Sequence, residues 1–136
     1  METSIIKALT NDFESFANKT SNGVEFWMAR DLQHLLGYTK WDNFQSVISK
    51  AKTACELSDQ EIEYHFADVG KMDSIGSGAE KQIADIMLTR YACYLIAQNG
   101  DPRKETIAFA QRYFATQTRR AELIEQKLLE HERVQA

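Results

Sequence analysis

Apolar residues change their spacing several times along this chain, and each change marks an element. In the opening stretch TSIIKALTNDFESF, Ile5, Ile6, Leu9, Phe13 and Phe16 recur at roughly helical intervals, which predicts a helix at least to Thr10. Asn22-Gly23 then precedes a Val/Phe/Trp run, a hairpin-turn signal that makes residues 24–28 a strand. Residues 13–18 fit either its partner strand or the end of the first helix. ARDLQHLLGY reads as a short helix that buries Leu32, Leu35 and Leu36 and stops at Gly37. Thr39 next stands in an N-cap position, with Asp42 three residues on as in a capping box. Trp41, Phe44, Val47, Ile48, Ala51 and Cys55 follow along one helical face. Ser58 with Glu61 repeats the capping pattern for a short helical turn.

From Tyr64 the texture changes. HFADVGKM and KQIADIMLT flank DSIGSGAE, and the second arm alternates in part, which predicts a β-hairpin with a flexible Gly-Ser-Gly tip at 76–78. Thr89 can cap a helix over RYACYLIAQN, and Gly100 ends it. Asp101 is then placed to cap a last helix with Pro102 in its first position, where the missing N–H costs nothing. That helix points Phe109, Ala110, Tyr113 and Phe114 inward, beside Ile107. Lys104, Gln111, Arg112 and Arg119 fall within about 100° of arc on its other side. Past Arg120 the chain stays charged and helical, with Ile124, Leu128 and Leu129 as a thin apolar seam that asks for a partner. These patterns describe an α+β fold, mostly helical, with two small β-hairpins and a long C-terminal helix.

Charge adds one feature. The 136 residues carry a net charge of −4, which argues against a strongly basic nucleic-acid binder. The balance is uneven: residues 1–99 carry −5, residues 100–120 carry +3, and residues 121–136 carry −2. The one compact positive region therefore includes the joint QNGDPRKE. Its Gly, Asp and Pro are explained as a helix stop and start, but Arg103 and Lys104 are not. Helix starts are natural anion sites, so this pair reads either as an ordinary αα-corner or as a phosphate contact.

Other candidates are weaker. In GYTKWDNF, Lys40 and Asn43 can reach nucleic acid, with Tyr38 or Trp41 stacking on a base, although the phase of Trp41 matches the core. The Gly-Ser-Gly tip lacks P-loop spacing. Glu61, Glu63, Asp68 and Lys71 have the composition of a metal-dependent nuclease site, yet acid-rich stretches are more often solvated faces. His34, His65 and His131 show no ligand spacing, and Cys55 and Cys93 sit at core phases as expected of buried thiols in a reducing compartment. The residues thus predict no catalytic group, cofactor or metal. The apolar runs are too short to span a membrane, and the N-terminus lacks a secretory pattern.

FWMARDLQHLLGYTKW, HFADVGKM, IGSGA and RYACYLIAQNGDPRKETIAFAQRYFATQTRR together resemble the bacterial DNA-damage-inducible protein D family, over roughly residues 10–125. The order of elements is similar, more distantly, to the N-terminal domain of BRO proteins and phage antirepressors. There a hairpin leads into a helix ending in LGY, as Ala29, Asp31, Leu36, Gly37 and Tyr38 do here. The resemblance implies an α+β domain induced in the SOS response and working around DNA or proteins that coat it, in keeping with the cytoplasmic compartment that the cysteines suggest. No catalytic residues come with it. Family members are about twice this length, so residues 1–120 are expected to form the domain and 121–136 a charged helical extension where the further half begins.

The combined expectation is a non-catalytic regulatory module. It binds DNA, single- or double-stranded, or a DNA-coating protein such as a recombinase filament. Arg103, Lys104, Arg112 and Arg119 form the contact face, Lys40 adds to it, and the C-terminal helix is available for homodimerisation. The alternative is an antirepressor-like protein–protein interaction module without direct DNA contact.

Overall fold

The computed structural model describes residues 2–74 and 80–135. Its elements run α1 (Thr3–Ser15), β1 (Asn18–Lys19), β2 (Glu25–Met28), α2 (Ala29–Leu36), α3 (Trp41–Leu57), α4 (Ile62–His65), β3 (Phe66–Ser74), β4 (Glu80–Thr89), α5 (Arg90–Gln98) and α6 (Glu105–Gln135). The α+β reading holds. Residues 13–18 divide between the two alternatives: α1 continues to Ser15, and β1 follows after a short turn. The expected Gly-Ser-Gly tip lies outside the described residues.

Two hairpins were legible, but they are not separate. All four strands form one antiparallel sheet in the order β1-β2-β4-β3. The hairpins join through β2 and β4, where Phe26, Trp27 and Met28 pair with Thr89, Leu88 and Met87. Trp27 and Leu88 are fully buried at this seam. The Trp27 indole N–H donates to the Phe13 carbonyl at 2.9 Å, so the seam also fixes α1. Phe13 is the one buried side chain of α1, and its ring lies 5.3, 5.8 and 5.7 Å from those of Phe109, Tyr113 and Phe114. Phe114 meets Trp27 edge-on at 5.1 Å. This aromatic knot ties α1, the sheet and α6 together.

The helix ends show where local signals succeed and fail. Gly37, at φ +85°, closes α2 in a Schellman arrangement: its N–H donates to His34 O, and the Tyr38 N–H donates to Gln33 O. Thr89 caps α5 by accepting from the Ala92 N–H at 3.3 Å. Thr39 does not cap α3, because the helix starts one residue later and Lys40 occupies the cap position without a side-chain bond. Ser58 closes α3 instead of opening α4, donating its hydroxyl to Ala54 O at 2.9 Å. Asp101 caps no helix either. It accepts from the Arg103 N–H in a turn over 101–104, and α6 begins only at Glu105, so Pro102 sits in that turn. The start of α2 has no cap of its own. Asp85 of β4 supplies one, its Oδ1 accepting from the Arg30 N–H at 3.0 Å.

Candidate nucleic-acid interface

The joint that drew attention in the sequence is a tight turn whose charges are partly spoken for. Arg103 clasps Asp101 through Nε and Nη2, with Nη2 to Oδ2 at 2.9 Å. Asp101 is held below the usual carboxylate range, mainly because it accepts hydrogen bonds from the Arg103 side chain and backbone. Arg103 is thus paired locally, and α6 starts at Glu105, three residues after Pro102, where it was expected to begin.

Lys104 is placed differently. The Thr106 hydroxyl donates to Leu36 O at 3.0 Å, which brings the start of α6 against the α2–α3 loop. Lys104 Nζ then sits 5.4 Å from the Tyr38 ring centroid, a cation–π distance. Lys40 is exposed in the same loop. Tyr38 itself is half-buried and tilted against Phe44 at 5.2 Å, so it closes the corner instead of offering a free face. Trp41 is covered as its core phase implied: the Arg30 guanidinium lies 3.8 Å over its ring.

Further along α6 the expected stripe comes apart. Gln111 is turned away from it and donates its amide to Ala97 O at 3.0 Å, where it satisfies a carbonyl at the end of α5. Arg112 and Arg119, seven residues apart, lie within about 20° of each other and are both exposed. Arg119 pairs with Glu122 at 3.5 Å. Arg112 is in no ion pair among the described residues, and nor are Lys40 and Lys104. The structure therefore sets Lys104 over Tyr38, in the loop that also carries Lys40, places Arg112 and Arg119 along the helix, and pairs Arg103 with Asp101.

Two hollows flank α6, and neither was visible in the sequence. One, of about 320 Å³, lies between α1 and α6 and includes Arg112, Tyr113 and Arg120 in its walls. The other, of about 570 Å³, opens between the β1–β2 hairpin, α4, the start of α5 and the middle of α6. Lys19, Tyr64, His65, Arg90 and Arg120 border it. Arg90 pairs with Glu25 at 3.5 Å. The His65 ring bonds to the Thr89 hydroxyl and packs on Tyr91 at 4.9 Å, and burial pushes its pKa down. The second hollow mixes both signs of charge.

Glu61, Glu63 and Asp68 are not grouped as metal ligands, and the Lys71 side chain of the cluster considered above lies outside the described residues. Among the described residues no group of three His, Cys, Asp or Glu side chains is placed to hold a metal. Cys55 and Cys93 are free thiols, both buried, and burial raises both pKa values. No helix among the described residues is long and apolar enough to cross a membrane.

Comparison with known proteins gives these elements a context. The chain is 50% identical over 111 residues to DNA damage-inducible protein D of Escherichia coli, an alignment covering 82% of this chain and 40% of that protein. The chain thus spans about two fifths of the length of that relative. No solved structure matches. The model of the BRO family, N-terminal domain, matches residues 17–115, from just before β1 into the buried half of α6, and the chain belongs to that family.

Proposed function

We propose that this domain is a non-catalytic regulatory module of the bacterial DNA-damage response, acting in the SOS setting by binding. Its partner is DNA or a protein that coats DNA, such as a recombinase filament. The observation that carries the nucleic-acid reading is the corner where Lys104 lies over Tyr38 beside Lys40, with Arg112 exposed further along α6, on a chain that is otherwise acidic. Exposed cations of this kind favour phosphate contacts that carry no sequence information. The likeness to DNA damage-inducible protein D supplies the physiological context.

The test is a Lys40→Ala, Lys104→Ala, Arg112→Ala variant, with binding of single- and double-stranded DNA measured across a range of salt. The expected result is weaker binding to every sequence. The dependence of log K on log salt should become shallower by about 0.7 to 0.9 per lost contact. Unchanged binding overturns the assignment.

A second reading, the antirepressor-like interaction module, is favoured by a separate feature. Leu123, Ile124, Leu128 and Leu129 on the distal part of α6 are 39, 58, 59 and 56% exposed. A surface of this kind engages another chain, including a second copy. Light scattering of the isolated domain against concentration tests the second copy, and a constant monomer mass leaves that seam to a different protein.

A further inference from the structure

The cleft between α1 and α6 carries the most specific chemistry outside the corner. Its floor is apolar, built from Ile6, Phe109 and Tyr113. α1 buries only Phe13 and leaves Ile6 half-covered and Ile5 exposed, so an apolar side chain from outside would complete that face. The polar groups around the floor are mostly donors. Arg112 and Arg120 stand at the cleft with no ion-pair partner among the described residues, and Gln117 adds an amide. Tyr113 keeps its proton, its pKa pushed up to about 12 by burial first and then by Glu14 and Glu25. Glu14 is the one carboxylate in the lining, and it can accept from a peptide N–H.

We infer that this cleft docks a short acidic peptide segment of a partner protein, an apolar side chain entering between α1 and α6 while flanking carboxylates meet Arg112 and Arg120. The spacing fixes the pattern. Eight residues of helix put the two arginines about 12 Å apart along the axis. An extended chain covers that distance in about four residues. The fitting segment is therefore acid–x–apolar–x–acid. The volume of about 320 Å³ suits one apolar side chain and its neighbours. A nucleic-acid strand fits less well, because the apolar floor of Ile6 and Phe109 offers a phosphate backbone no contact. The inference rests on the reading of the domain as a binding module and names a partner chemistry for it.

The test uses the whole chain and a fluorescein-labelled peptide with Glu, Leu and Glu separated by single Ser residues. Control probes carry Ser for Leu, or Lys for both Glu. Anisotropy measures binding, and amide shifts map it. Binding is expected with shifts at Ile6, Thr10, Tyr113 and Gln117. It should weaken about tenfold or more in Arg112→Glu and in Arg120→Glu, since each removes a charge-assisted contact. Both sites are exposed, and unchanged thermal melting shows that the variants fold. Loss with the Ser-for-Leu probe completes the support. Absence of binding, shifts elsewhere, or indifference to both arginine variants overturns the proposal. So does oligothymidine that moves the same amides and displaces the peptide, or the same shifts appearing on concentration without any probe, which assigns the cleft to a second copy. Oligothymidine binding that depends on Lys40 and Lys104, in a domain that ignores the peptide, leaves the nucleic-acid reading standing and removes only this one.

Discussion

α6 is one unbroken helix with two different lives. Between Ile107 and Phe114 it buries Ile107, Phe109, Ala110 and Phe114, packing on α1, α2, α5 and Trp27 of the sheet. From Glu122 to Glu132 every side chain is exposed. The first half is held by packing, as most protein helices are, while the second has only local propensity and charge pairs to keep it helical. The match to the family model follows the same division, since it stops at residue 115. Burial therefore divides along a single element: the inner half packs on the domain, and the outer half is exposed.

The largest test of that contrast is to empty one half and trim the other. Phe114→Ala removes a fully buried ring that touches Phe13, Trp27 and Tyr113, and should cost about 3–5 kcal/mol in denaturant unfolding. Leu128→Ala should stay within about 0.5 kcal/mol. A similar cost at both positions would show that the outer half is covered in solution.

A smaller effect is expected at the joint that seats the inner half. A Cβ at Gly100 would come within 2.8 Å of an Ile107 methyl group, so Gly100→Ala must shift the start of α6 and should destabilise by about 1–3 kcal/mol. An unchanged melting temperature would mean that the α5–α6 joint yields freely and does not set the position of α6.

The smallest effect concerns the hollow beside the midpoint of the helix. Burial lowers the pKa of His65 in the folded state, so the unfolded chain takes up the proton first. The contribution of His65 is therefore full above the ordinary histidine value of about 6.5 and declines as pH falls below it, until the folded form protonates as well. Thermal melts at pH 7.5 and 5.5 should differ more for the native chain than for His65→Asn. Equal differences would exclude His65 as the source.

Much of this fold could be read locally. Phe109, Tyr113 and Phe114 announced their inward face by spacing, and Gly37 and Thr89 announced their helix ends by residue type. The failures have a common cause. Asp101, Ser58 and Thr39 have the chemistry of helix caps, but the same chemistry serves turns and helix ends, and only the surrounding backbone decides. The joining of two hairpins through Trp27 and Leu88 is a contact across some sixty residues that no local pattern specifies. The make-up of the basic stripe met a similar limit. Helical phase placed Gln111 beside Arg112, but the open carbonyls at the end of α5 claimed its amide, and Asp101 claimed Arg103. The cleft between α1 and α6 exists only once Phe13 has docked, so neither helix carries a signal for it.

The cap that Asp85 lends to α2 reaches beyond stability into the order of events during synthesis. Residues 29–36 leave the ribosome long before residue 85 exists, and until then the Arg30 N–H has no acceptor from β4. α2 thus depends on a strand made some fifty residues later, a long-range closure of the kind that slows folding. A nascent chain halted before β4 would hold Leu32 and Leu36 against β2 and α3 alone, without the strand that caps their helix. Completion of the second hairpin supplies that acceptor, and α6 then adds a later tie through Thr106 and Leu36.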